Sequence, residues 1–239
     1  MKKFLLLLLL IPVCMNGQRK VDAKDIRQGN NSLYYVKGMT TPFSGIMLEY
    51  YENGALERET YVVAGYKHGL SKDYFEDGSL AIETNFKKGK EHGITKMYDD
   101  NGTLFSVETY QDGELHGPSK GYHSNGQLEM EMTFVHGQAQ GEMKQYYEDG
   151  QLLCSMFFND GALDGVMLIY NEQGNLETEA HFKNGQEHGT VKHFYDNGNL
   201  EFEADYKNGM LIGEAKYYDP FGNIKQGDAE EYSKRRPRF

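Results

Sequence analysis

The chain has 239 residues, with 18 Tyr, 13 Phe and no Trp, and a formal net charge of −11 at pH 7. So acidic a balance excludes a nucleic-acid binder, which needs a basic face. Of its two cysteines, Cys14 lies in the N-terminal leader, and whichever way that leader is processed Cys154 has no obvious intrachain disulfide partner.

The first element is an export signal over residues 1–17. Lys2 and Lys3 form its charged region and Phe4 to Ile11 its apolar region, too short for a comfortable membrane span. Cleavage after Gly17 leaves Gln18 and takes the formal charge from −11 to −13. The rival reading is a lipoprotein signal with Cys14 acylated, although Val13 is larger than a lipobox prefers. Either way the chain is expected outside the cytoplasm: periplasmic, outer-membrane-associated or secreted. Residues 18–44 form a lead-in with its own strand.

From residue 45 glycine recurs every 24 residues, at Gly45, Gly69, Gly93, Gly117, Gly141, Gly165, Gly189 and Gly213. A second series runs from Gly54 and Gly78 to Gly222, and a third from Gly65 and Gly89 to Gly209. A fixed short period means stacked copies of one supersecondary unit, each burying surface only against its neighbours. With Gly45 as position 1, position 6 is aromatic (Tyr50, Tyr74, then Tyr or Phe throughout) and position 12 aliphatic (Leu56, Leu80, then Leu or Ile). Position 18 is Val62 and then Phe or Tyr, and the second and third glycines fall at positions 10 and 21. Short Tyr-, Phe- and Leu-rich runs separated by Asn-Gly or Asp-Gly predict hairpins. The spacing leaves no room for a helix. The expected fold is all-β: an elongated antiparallel meander of 24-residue hairpins over residues 45–227, seven full units and a partial eighth.

At the position-10 turn, Gln173 and Phe221 at position 9 resist positive φ, and Pro220 at position 8 suits a type I turn. The expected loop is therefore a type I turn closed by a left-handed glycine in a G1 bulge. A three-residue loop pairs position 6 with position 12. Extending the alternation places positions 14, 16 and 18 on that same, structural face, and positions 5, 7, 13, 15 and 17 on a variable face. Candidate partner contacts on the variable face are Tyr51, Phe75, Phe105, Tyr147 and Phe157, because exposed aromatics favour interfaces.

Catalytic, cofactor and metal sites are not expected. His68, His92, His116 and His188 share position 24, but equivalent residues two strands apart are separated by roughly 9.5 Å, too far for one Zn²⁺; turn capping or solvent exposure is the expectation. His136 and His181 belong to other columns, and His123 and His193 are read as isolated strand residues. Glu59, Glu83, Glu131, Glu179 and Glu203 at position 15, and the frequent Lys at position 4, read as solvated strand charges that discourage aggregation. Repeated carboxylates give no singular acid–base pair. Asp99-Asp100-Asn101-Gly102 lacks the later ligands of a calcium loop. Cys154 reads as a small buried residue.

Gly-x-x-x-x-Tyr-x-x-Asn-Gly-x-Leu followed by Tyr or Phe, Asn-Gly and His-Gly resembles the MORN repeat, most closely the variant of the bacterial antitoxin-like YwqK family. The lead-in from Leu33-Tyr34-Tyr35 to Pro42-Phe43-Ser44-Gly45 resembles that family's first strand. The resemblance implies an elongated β-sheet protein that binds other proteins. It departs from familiar MORN repeats in lacking Trp, which weakens any transfer of lipid binding. The expected function is a non-enzymatic exported scaffold for a protein partner in the cell envelope, with an antitoxin or immunity role as the alternative and self-association possible. Membrane contact is expected only through a lipidated Cys14 or the basic tail of residues 228–239, which carries Lys234, Arg235, Arg236 and Arg238.

Overall fold

Strands separated by glycine turns account for almost all of the computed structural model, which describes residues 19–225. The leader with Cys14 and the basic tail lie outside the described residues. One sheet of eighteen strands runs through the array. Seven outgoing strands of eight residues begin at the position-12 leucines: Leu56–Val63, Leu80–Lys87, Leu104–Gln111, Leu128–Val135, Leu152–Asn159, Leu176–Lys183 and Leu200–Lys207. Each pairs antiparallel with the strands before and after it in sequence, as Leu56–Val63 does with Gly45–Tyr50 and Tyr66–Tyr74.

The two turns of each unit differ. At the first, Gly54 sits at φ +87°. Its amide donates to the Tyr51 carbonyl, and the Tyr51 amide donates to Ala55, both at 2.9 Å. This is the expected three-residue loop, and only glycine holds that backbone without strain. Position 6 accordingly pairs with position 12: Tyr50 with Leu56, Tyr74 with Leu80, Tyr146 with Leu152. The second turn has only two central residues. Ala64 and Gly65 have φ of +49° and +81°, and Val63 pairs with Tyr66, a type I′ geometry matched to strand twist.

The expected face assignment fails beyond position 12. A further bulge leaves position 13 without a partner, so Tyr50 pairs with Leu56 but Glu49 with Arg58. One extra residue reverses the alternation. Positions 14, 16 and 18 therefore join positions 5, 3 and 1 on an inner face, while positions 6 and 12 join 4 and 15 on the outer face. Most buried residues are inner ones: Met47, Thr60, Val62, Ser71, Thr84, Thr95, Ser119, Cys154, Met167, Ala180, Val191, Phe202 and Ala204; Ile46, at position 2 of the first unit, is a buried exception on the outer face. The invariant Tyr and Leu are mostly half-buried, and Tyr50 is exposed.

A third irregularity explains the position-1 glycines. Thr60 pairs with Ser71 and Val62 with Lys67, so His68, Gly69 and Leu70 bow out of the ladder. At the equivalent bow, Gly165 has φ +145°, and an added Cβ would lie 3.0 Å from the Cβ of Phe157. The position-18 side chain stands opposite this glycine, as Phe86 does opposite Gly69 and Phe158 opposite Gly141.

Residues 19–43 cap the first unit. Lys20–Asp22 runs parallel to Gly45–Tyr50. The expected lead-in strand around Tyr34 instead forms a separate hairpin, Ile26–Gln28 with Tyr34–Val36. Val21, Ala23, Ile26, Tyr34 and Val36 pack on buried Phe43, Met47 and Val62.

Candidate interaction surface

The outer face is built in rows that cross every strand. Positions 4 and 15 make one row, in which Glu59 pairs with Lys72, Lys72 with Glu83, and Glu83 with Lys96. Val107 interrupts the charges after Lys96, and Ser155 and Leu168 interrupt them after Lys144; between and beyond lie Lys120–Glu131–Lys144 and Glu179–Lys192–Glu203–Lys216. Opposite charges thus face one another across strands, which adds modestly to pairing. Ion pairs close at 3.4 Å for Lys72–Glu83, 3.6 Å for Lys120–Glu131 and 2.9 Å for Lys216–Glu203. Position 6 lies beside this row. Tyr98, Tyr146 and Tyr218 donate their hydroxyls to Glu83, Glu131 and Glu203 at 3.3, 3.1 and 2.9 Å. Burial, and then the neighbouring carboxylate, push the Tyr146 phenol above its usual range. The Glu203 carboxyl is held below its usual range by hydrogen bonds from Lys216 and Tyr218. These charges are an organised ladder rather than independent solvated groups.

Position 7 stitches one unit to the next. The Tyr51 hydroxyl donates to the Tyr74 carbonyl at 2.6 Å, Tyr147 to Tyr170 at 2.8 Å and Tyr195 to Tyr218 at 2.7 Å. His123 takes the same place, with Nε2 at 2.8 Å from the Tyr146 carbonyl. It is a turn residue, not a strand residue. Where position 7 is Asp99, Asn171 or Asp219, the short side chain accepts from its own turn amides instead.

The opposite edge carries position 24. His92 and His116 accept through Nδ1 from the backbone amides of Asp112 and His136, at 3.4 and 3.3 Å. Ser44, Gln140 and Asp164 do the same for Ala64, Asp160 and Asn184. In these units the column caps the type I′ turn that follows, whereas the Nδ1 of His188 is buried without a hydrogen-bond partner. The third-series glycine amides add a second tie, as Gly89 donates to Lys67 and Gly113 to Glu91. His181 contacts Glu179 at 3.3 Å, and buried His193 contacts Thr178 at 3.0 Å. Among the described residues, no three His, Cys, Asp or Glu side chains group as metal ligands. Cys154 is buried, and burial raises its thiol pKa.

The five candidate contact residues do not share one surface. Tyr51 and Tyr147 are turn residues with committed hydroxyls, and half-buried Phe75 is their counterpart in the second unit. Phe105 sits at the position-13 bulge and Phe157 on the outer face, 44% and 45% exposed. The outer face has a second row, positions 2 and 17, and it differs in every unit. Its cross-strand pairs are Ile46–Tyr61, where the lead-in buries Ile46, then Leu70–Asn85, Ile94–Thr109, Pro118–Thr133, Glu142–Phe157, Val166–His181 and Thr190–Asp205. Ile94, Phe157 and Val166 are exposed apolar members of this row. Ile94 and Val166 escaped the sequence reading because aliphatics in a strand look like core. Their column's variation between units was the available signal.

The repeat geometry agrees with a family model. The model described as MORN repeat variant matches residues 44–63, 67–88, 91–112, 115–136, 139–160, 163–184 and 187–208. No curated protein matches the chain. Among solved structures, S. aureus TarM aligns at 13% identity over 40% of this chain and 19% of its own, with a TM-score of 0.29. A TcdB2-TccC3 structure aligns at 13% identity over 78% of this chain and 13% of its own, TM-score 0.21. A porin-like protein from Bacteroides uniformis aligns at 8% identity over 75% of this chain and 91% of its own, TM-score 0.21. The chain spans about a fifth of TarM's length or less, and likenesses this distant carry no functional argument.

Proposed function

Because the chain belongs to the MORN repeat variant family, we propose that it is a non-enzymatic scaffold that binds a protein partner through the outer row of positions 2 and 17. The carrying observation is that this row changes in every unit while the row beside it mostly alternates Lys and Glu. It also leaves Ile94, Phe157 and Val166 exposed beside those charges. A row that varies without disturbing the stack can read a partner, and exposed aromatic and aliphatic groups supply the contact. Phe157 borders Gly165 and so lies next to Val166, giving the row an apolar centre.

The partner is expected in the cell envelope, since Lys2, Lys3 and Phe4 to Ile11 read as an export leader. The test is capture from the envelope fraction of the source cells with the full chain and with Phe157→Ser/Val166→Thr. Loss of a captured protein at an unchanged unfolding midpoint supports the reading. Unchanged capture, or a full chain retained in the cytoplasm, counts against it.

A further inference from the structure

We propose that a groove at the turn edge of the first two units binds an acidic, aromatic-containing segment of a protein, with Lys67, Lys88 and Lys90 on its carboxylates. The groove lies where the first two type I′ turns meet the lead-in hairpin, and its volume is about 280 Å³. Tyr34, Tyr66, Lys67, Phe86, Lys88 and Lys90 line it, and no carboxylate does. Backbone bonds fix the walls: the Tyr34 amide donates to the Gly65 carbonyl at 2.9 Å, and Gly89 to Lys67 at 2.8 Å. Phe86 is half-buried and Tyr66 is 41% exposed. The Lys67 ammonium lies 5.0 Å from the centre of the Phe86 ring. The floor is thus aromatic and the rim cationic.

The cations are particular to this place. Positions 20 and 22 are Lys88 and Lys90 in the second unit, but Asp112 and Glu114, His136 and Gln138, Asp160 and Ala162, then Asn184 and Gln186 in the units that follow. Position 23 is Lys67 in the first unit, and Glu91, Leu115, Ala139 and Leu163 after it. The turn does not ask for lysine: Lys88 sits at φ +52°, where Asp, Asn and His are the favoured side chains. Among the described residues none of the three lysines forms an ion pair, whereas Lys72, Lys120 and Lys216 of the outer row do. Three ammonium groups around one groove repel one another, and an anion seated among them relieves that repulsion.

Size and chemistry choose the occupant. The volume lies below the roughly 300–1,000 Å³ of cofactor and drug-sized sites, so the groove takes one or two side chains of a larger ligand. The lysines call for carboxylates, and the exposed ring of Tyr66 calls for an apolar group beside them; a hydrated inorganic anion leaves that ring uncovered. On a chain of net charge −11, most of the surface turns an acidic segment away, and the groove fixes where it lands. The site rests on the reading of the chain as a protein-binding scaffold, but not on the outer row of positions 2 and 17.

The test is fluorescence anisotropy of the full chain with a labelled peptide of four glutamates around one phenylalanine. Binding that weakens as salt is added is expected. Lys88→Glu/Lys90→Glu should weaken it at least about tenfold. Lys67→Met, which keeps an apolar stem on Phe86, should weaken it about threefold. Lys183→Glu/Lys207→Glu, with the same change of net charge at later turns, and Phe157→Ser/Val166→Thr should bind like the parent. Peptides with glutamine for glutamate, or alanine for phenylalanine, should bind more weakly. No binding by the parent up to about 1 mM peptide overturns the proposal. So do lysine variants that bind like the parent, or equal losses in the Lys183→Glu/Lys207→Glu control. Full displacement by inorganic phosphate at the peptide's own concentration would mark a small-anion site and overturn it as well.

Discussion

The two halves of the inner face share one backbone and little chemistry. In the first half the row of positions 3 and 16 is mostly hydroxylic, with Thr60, Ser71, Thr84, Thr95 and Ser119 all buried and Met47 and Glu108 as its other members. Beside it Arg58 forms a forked contact with Asp73 and reaches Glu49 at 3.4 Å. In the second half the same rows hold Met156, Met167, Ala180, Val191 and Ala204, flanked by Ile169 and Phe202. Cross-strand registers are the same in both halves, as Ser71–Thr84 and Met167–Ala180 show. The contrast teaches that the glycine turns and bulges set the backbone. The inner rows then accept a hydroxyl ladder or an apolar one, provided that side-chain volume suits the curl and polar groups find partners. Apolar burial should make the second half the firmer one. Hydrogen exchange is expected to protect amides around Met167 and Ala204 more than those around Ser71 and Thr95; equal protection would dissolve the contrast.

Phe202→Ala should be the most damaging single change. It empties a site 2% exposed at the centre of the larger apolar cluster, at a cost of about 3–5 kcal/mol in urea unfolding. In the first half, Arg58→Met should cost about 2 kcal/mol, less than a fully buried pair because the guanidinium is a third exposed. Adding Asp73→Leu should recover most of that loss; a further loss would mean that the charges hold this half together.

Tyr51→Phe and Tyr147→Phe should each cost about 1 kcal/mol, and by similar amounts, since the same hydroxyl-to-carbonyl stitch serves both halves. Unequal costs would show that the halves differ in backbone as well as in filling. The smallest effect should be Thr95→Val. The Thr95 hydroxyl is buried without a hydrogen-bond partner, so its removal should be neutral or stabilise by up to about 1 kcal/mol. Thr60→Val, which loses a 3.1 Å contact with Ser71, should instead destabilise.

Much of this was legible in the residues. The 24-residue period gave the repeat, the composition of each interval gave strands, and Pro220 with Gln173 and Phe221 gave the three-residue loop. The pairing of Tyr50 with Leu56 followed from loop length. The inner face did not follow, because the bulge at position 13 has no residue signature: Glu57, Ala81 and Phe105 all occupy it. The candidate surface was correspondingly half visible. Phe105 and Phe157 are exposed, but Tyr51 and Tyr147 resemble contact residues only until the next unit's carbonyl is placed beside them.

The sequence by itself determined the unit, its period and its tight turns, because glycine's backbone freedom and loop length act within a few residues. Only the tertiary structure decided which face is inner, that position 7 joins units 23 residues apart, and that Lys20–Asp22 caps the first end of the sheet. These depend on bulges and on contacts between neighbouring units, and a one-residue shift there exchanges the faces without altering the period.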